Sequence, residues 1–500
     1  MEQHLISIMV FTPLVGAIIQ GLFPGSRGAL SRWLSLALSA LSAAIAAFLV
    51  LSLQASTPGL QATDALPWIG SYAINYDLGI DGVNALLVLL ISIVFPVLIA
   101  TEWPRNPGVR GIHGLFLLLQ TALLGAVCSQ DLFLQFFFWT MALFPIYFLI
   151  GIWGGESREK AALYSVVSGS IGNALFFAAL VLIYYSAEPH TFSVAALSGG
   201  KLSGKTFELL GQQFSVSYTA FLLIAFGLAL RVPVWPLHAW FTRVAVEAPS
   251  SVFVAVAAAV VPTGCYIFVK LGYSLFPDVM TAFATPVMVV GTLNLVLGAV
   301  CLVAEKNIRL LPAWFCLSEV GFILVGSGSL SGPGVLGAVF QQLVVGLGLA
   351  GFGLFAGIVC ERSQATNFRL GGVIAKAPHL GIVAGIVIAS LLGFPGLGGF
   401  VGHSLLILGS YAVLPVAVVL AGLAVLIATY SLFTMYHKIF FGREGEAVAT
   451  GFGDLNLREK AYLLPLIAAL IVCGVYPKPL LELARPTVQA LIAAPAGTQK

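Results

Sequence analysis

Charge is what this sequence has least of. Only 9% of its 500 residues are Asp, Glu, Lys or Arg, against about a quarter in ordinary soluble domains, which excludes a typical cytosolic enzyme. The 23 Lys and Arg nearly balance the 20 Asp and Glu and form no basic stripe. No nucleic-acid partner is therefore expected, and a chain this apolar is not disordered. The six cysteines, Cys128, Cys265, Cys301, Cys316, Cys360 and Cys473, are scattered through apolar runs without a CxxC pair. That spacing supports neither a disulfide framework nor an iron–sulfur site, and small buried thiols are expected. No Lys or Arg precedes the first apolar run, so a retained first span is expected in place of a cleaved signal peptide.

What the chain does have is apolar length. Hydrophobic residues make up 59% of it, and the mean hydropathy is +1.02. Apolar runs fall near 4–23, 32–53, 83–101, 112–129, 132–153, 161–186, 218–243, 250–274, 280–303, 308–328, 333–360, 378–410, 413–436 and 461–482. About 20 apolar residues span a bilayer as helix, so the fold class is all-α: a polytopic membrane protein of about 14 transmembrane helices. Only the connections 54–82 and 187–217 have room for extra structure. Sixteen Lys and Arg, from Arg27 to Lys460, fall on one set of alternate connections. Six fall on the other, among them Lys201, Lys270 and Lys500, and Arg231 is left inside the membrane. That bias places both termini on the non-cytoplasmic side of a bacterial-type inner membrane.

Two runs are interrupted. The seventh contains Arg231-Val-Pro-Val-Trp-Pro-Leu-His238 and the twelfth Gly393-Phe-Pro-Gly-Leu-Gly-Gly-Phe400. Pro and Gly there leave carbonyls without helical partners, tolerated in a bilayer only where backbone is buried in protein or lines water. The breaks lie five helices apart, in corresponding places of two five-helix stretches, the sequence sign of transporter repeats. The expected organisation is N-terminal helices in 1–111, a first five-helix repeat in 112–274, an inverted second repeat in 280–436, and a C-terminal helix and tail in 437–500.

The chain resembles the antiporter-like membrane subunits of respiratory complex I, the proton-pumping NADH:quinone oxidoreductase, and most nearly the M type. The stretches that carry the resemblance include Leu78-Gly-Ile-Asp-Gly82, Asp131-Leu-Phe-Leu-Gln135, Pro145-Ile-Tyr-Phe-Leu-Ile-Gly-Ile-Trp-Gly154 and Pro233-Val-Trp-Pro-Leu-His-Ala-Trp240. Ala248-Pro249, Gly321-Phe322 and Phe394-Pro-Gly-Leu-Gly-Gly-Phe-Val-Gly402 complete it. The chain also stops after the fourteenth run, without the long lateral helix expected of the L type. The resemblance implies a subunit with no redox centre or cofactor of its own, working beside other membrane subunits of a complex I-like assembly in the lipid bilayer. It also implies a line of ionisable side chains at mid-membrane that carries protons.

Residue by residue, that line is largely replaced. The fifth-run Glu position falls on Thr140, the seventh-run Lys on Arg231, the eighth-run Lys on Pro262 and the eleventh-run His on Val345. The tenth-run His position reads Glu319, and the twelfth-run Lys or Glu position reads His403. Thr, Pro and Val carry no charge, and Arg stays protonated. The candidates left for proton transfer are His238, Glu319 and His403, with Arg231 as a standing charge. His403 reads either as a switch near pH 6.5 or as a neutral ring bonded to a freed carbonyl. An unpaired Arg in the membrane is expensive, so Glu319 or Glu247 is expected beside Arg231. Asp81, Asp131, Lys270, Glu305 and Arg309 fall near span ends, where snorkelling to the interface is expected. Three functions remain open: a proton-conducting subunit with an altered wire, a non-pumping structural paralogue, and a subunit of a Mrp-type cation/proton antiporter or membrane-bound hydrogenase-like complex.

Overall fold

A computed structural model gives the fold and describes residues 4–22, 28–102, 111–367, 370–443, 445 and 452–496. The charges Arg27, Arg105, Arg110, Arg369 and Lys500 lie outside the described residues. The protein is a helical, multi-pass membrane protein. Ten described helices are long and apolar enough to cross a bilayer, eleven when Leu457–Val475 and the helix that follows count as one bent pair. Runs 112–129, 218–243 and 378–410 hold shorter helices, Ile112–Cys128, Val216–Ala229 and Pro378–Leu391. The 32-residue helix Gly332–Ser363 is almost wholly buried and forms the centre of the core.

The connections sort onto two ends. At one end, Gln130 N donates to Asp77 O at 2.8 Å, Val194 N to Gln130 O at 2.9 Å and Gly199 N to Ser274 O at 3.1 Å. There too, Ser331 Oγ donates to Gly409 O at 2.8 Å. At the other end, Gly155 N donates to Glu247 O and Ile308 N to Thr366 O, and Arg362 pairs with Glu459 at 2.5 Å. The first end carries both β-hairpins. Ala62–Ile69 pairs antiparallel with Ile74–Ile80, and Thr206–Leu209 with Gln212–Ser215. These fill the two long connections that the sequence left open.

Helices approach closely where side chains are smallest. A Cβ on Gly321 would strike the backbone of Gly291 and Leu295, so Ala284–Ala304 and Leu311–Gly328 meet backbone to backbone. Three departures from regular helix stand out. The fifth run bends at Ala142 between Leu132–Met141 and Leu143–Trp153; Pro145 lacks the N–H that would continue the ladder. The eighth run contains a π segment, Val256–Val260. The tail beyond 476 is helical as well: Lys478–Ala496 turns away from Leu457–Val475 by about 71° and packs its start against Gly82.

Charged residues at span ends are engaged by hydrogen bonds within the protein, and Asp131 and Asp81 cap helix starts. Asp131 Oδ1 accepts from Phe133 N at 2.9 Å and Leu134 N at 3.1 Å, and its Oδ2 accepts from Asn75 N at 3.2 Å. Asp81 Oδ1 accepts from Val83 N and Asn84 N, both at 2.8 Å. Glu305 accepts from Trp314 Nε1 at 3.0 Å, and Arg309 Nη1 donates to Val246 O at 3.2 Å. Orphan N–H groups at helix starts attract carboxylates more strongly than the interface does. Five of the six cysteines are buried, and all are free thiols.

Two outcomes follow. A methyl on Gly399 would run into the Ser390 carbonyl. Gly399→Ala should lower stability by about 1–3 kcal/mol, read as a reduced thermal midpoint of the detergent-solubilised protein. Burial lifts the Asp131 carboxyl to about 6, against the lowering effect of its three N–H donors. Below the unfolded value near 4 both states hold the proton. As pH rises from there through about 6 the unfolded chain releases it first, so Asp131's contribution to stability is lost. Asp131→Asn should flatten that segment of a thermal-midpoint profile taken between pH 4 and 7.

Candidate functional site

The seventh run ends as helix at Ala229 and restarts at Ala239. Arg231, just past the first helical piece, is 3% exposed. Its Nη1 donates to Trp139 O at 2.6 Å and lies 3.5 Å from Asn173 Oδ1. The guanidinium carbon stands 3.8 Å over the Trp139 ring, a cation–π contact that partly offsets a desolvated charge. The second nitrogen, Nη2, has no hydrogen-bond partner among the described residues, and neither has the buried Oγ1 of Thr140. Among the described residues, the expected carboxylate is not bonded to Arg231. Glu247 sits at the end of its helix and accepts from Ser157 N at 3.0 Å, while Glu319 is engaged elsewhere. A carboxylate capping backbone N–H groups, or already shared with a histidine, is not free to pair with Arg231.

Pro262 lies just past the π segment. Without an N–H it cannot bond Ala258 O, and the ladder widens by one residue instead. Thr263 Oγ1 returns to Ala259 O at 2.8 Å. Val345 is buried in the central helix, at 3% exposure. These two replaced positions are therefore packed, uncharged helix.

The second break is different. Helix Pro378–Leu391 stops, Gly393 and Gly396 take positive φ of 75° and 89°, and helix begins again at Gly398. His403, in its second turn, places Nε2 3.1 Å from Glu319 Oε1 and 3.3 Å from Oε2. Gln341 Nε2 donates to Glu319 Oε2 at 2.8 Å, and the Phe322 ring stacks on the imidazole at 4.5 Å. All three polar residues are buried. The ring of His403 thus bonds a carboxylate, not a freed carbonyl. A small cavity bordered by Ser318, Glu319, Phe322, Leu392 and His403 has room for about one water molecule. The pair can hold one proton on either partner. His238 stands apart: its ring centre is 5.7 Å from that of Trp314, its Nδ1 is unpartnered, and no bond joins it to Glu319 or His403.

Residues 129–429 match the family described as NADH:quinone oxidoreductase/Mrp antiporter, transmembrane. The chain belongs to this family. Among relatives, it is similar to NADH-quinone oxidoreductase subunit M of Rhodobacter capsulatus, 28% identical over 98% of this chain and 96% of that one. It is 30% identical to subunit M of Escherichia coli K12 over 90% of each. Among solved structures, it aligns with a chain of respiratory complex I from Thermus thermophilus at a TM-score of 0.87 and 26% identity, covering 98% and 99%. A chain of the Mrp complex from Dietzia sp. also gives 0.87, at 20% identity over 98% and 97%, a likeness of fold.

In this NADH:quinone oxidoreductase/Mrp antiporter family member, the sequence reading misplaced one polar residue, Lys270, and missed another, Asn294. Lys270 does not reach for the interface. It is 6% exposed, with Nζ donating to Ser129 O at 2.8 Å and Gln130 Oε1 at 3.1 Å. Its place in an otherwise apolar run was the available signal. Asn294 is fully buried. It accepts from Trp235 N at 2.8 Å and donates to Pro233 O at 3.1 Å and Leu317 O at 2.8 Å. It therefore ties the seventh-run break to the helix that carries Glu319. A lone Asn among apolar residues was a faint signal, legible only once the break was known to need partners.

Asn294→Leu would leave two backbone groups of the break, Trp235 N and Pro233 O, without this partner, each worth about 1–3 kcal/mol. A loss of at least ~2 kcal/mol of stability is expected, with the Trp235 amide more accessible to hydrogen exchange.

Proposed function

We propose that this chain is a membrane-arm subunit, M-like, of a proton-translocating NADH:quinone oxidoreductase. The observation that carries the reading is the buried Glu319–His403 pair beside a helix break. A carboxylate and an imidazole within hydrogen-bond distance can exchange a proton, and water in the adjoining cavity can deliver or remove it. Gln341 holds Glu319 in place and Phe322 holds the ring. Arg231 contributes a fixed positive field at the other break, and His238 stands as an isolated titratable group beside Trp314.

In this reading the chain belongs to an oxidoreductase without having a redox site. NADH and quinone react on partner subunits, no cofactor is held here, and the neighbours are other membrane subunits and lipid. The two interrupted runs sit in inverted repeats spanning 112–274 and 280–436, and both termini face away from the cytoplasm of a bacterial-type inner membrane. The full-length likeness to subunit M chains supports this, as does the likeness in fold to complex I.

Pro262 favours a second reading, a paralogue of the same fold that spaces its neighbours without pumping. The eighth run is π-distorted and uncharged from Val256 to Pro262, and its one lysine, Lys270, is bonded to Ser129 O and Gln130 Oε1. His403→Ala in the assembled complex separates the two. The pumping subunit should lose part of its proton-to-electron stoichiometry while NADH oxidation and assembly persist, with Glu319→Gln giving the same loss. An unchanged stoichiometry in both variants would establish the spacer.

A further inference from the structure

We propose that the cavity beside Arg231 is a binding site for one small inorganic anion, of the chemistry of chloride. The cavity is bordered by Ser165, Arg231 and Trp240, with an apolar wall that includes Leu143, Ile146 and Val256. Arg231 and Trp240 are 3% and 6% exposed, and both Nη2 of the one and Nε1 of the other lack a partner. Guanidinium and indole N–H groups donate and never accept, so what they need is an acceptor. Asn173 Nδ2 and Thr140 Oγ1, on residues touching or adjoining the Arg231 contacts, are unpartnered too.

Among the described residues, no side chain supplies that acceptor. Thr140 stands where an acid is expected, Glu247 accepts from Ser157 N, and Glu319 is shared by His403 and Gln341. Trp139 O takes only Nη1. A water molecule would accept one or two hydrogen bonds but would leave the guanidinium charge uncompensated in a buried place. The void holds about one water-sized sphere, which admits a monatomic ion and excludes phosphate or a carboxylic acid. The apolar wall suits a large, weakly hydrated halide. The site is independent of whether Glu319 and His403 relay a proton.

The test is anomalous diffraction from the assembled complex crystallised in bromide. A single bromide peak is expected within hydrogen-bonding reach of Arg231 Nη2 and Trp240 Nε1. It should vanish in Arg231→Gln and weaken in Trp240→Phe, which keeps a ring but removes the N–H. Exchange of chloride for gluconate should lower the thermal midpoint of the wild-type complex and leave Arg231→Gln unmoved. Absence of a peak at saturating bromide, a peak unaltered by both variants, or a neighbouring subunit's carboxylate in the cavity would each overturn the proposal. Unchanged proton stoichiometry in His403→Ala would overturn the pumping reading and leave the anion site standing.

Discussion

Inside hydrocarbon a backbone N–H or C=O without a partner is costly, and the rest of this molecule is arranged around that fact. Both interrupted runs release backbone groups at depth. Asn294 takes up two of them at the first break, Trp235 N and Pro233 O, and anchors itself on Leu317 O of a neighbouring helix. At the second, the restarted helix packs into its own preceding segment through Gly399 and against Gly474 of the last run. Polar side chains are admitted to the core where they discharge such duties, and chemistry becomes possible beside them. The carboxylate–imidazole contact stands one turn into the helix that the second break creates.

The two breaks handle charge in opposite ways. At the second, acid and base face each other, and the pair can be neutral as a unit. At the first, a permanently charged guanidinium is supported by a carbonyl, an indole face and an amide, none of which neutralises it. Thr140 and Pro262 place no charge beside Arg231, and the lysine of the eighth run, Lys270, is bonded instead to Ser129 O. One break therefore carries a lone guanidinium, and the other a carboxylate bonded to an imidazole.

Much of this was legible in the sequence. The apolar runs coincide with helices because their length and composition leave no alternative in a bilayer, and the Pro/Gly clusters at 233–236 and 393–399 mark the interruptions. Glu319 and His403 were identifiable as the titratable residues at depth, but not as neighbours. They lie 84 positions apart, and nothing in local pattern brings the tenth and twelfth runs together. Arg231 was expected beside an acid by electrostatics alone, and the structure gave it an aromatic ring and a carbonyl. Charged residues near span ends were read as interfacial. Asp81 and Asp131 are instead held by helix-start N–H groups, and Lys270 by the carbonyls of a turn, partnerships that only tertiary contact creates.

The π segment of the eighth run sets the direction of side chains well beyond it. One residue more per turn before Val261 rotates everything after it by about 100° relative to an unbroken α-helix. In that rotated setting Tyr266 reaches Val127 O, Lys270 reaches Ser129 O and Tyr273 reaches Ser327 O. A residue with an N–H at 262 would supply the donor that a regular ladder uses, and a ladder so closed would swing all three side chains off their acceptors. The proline and the π segment before it thus act as one unit, aiming groups as far as Tyr273, more than ten residues along the chain.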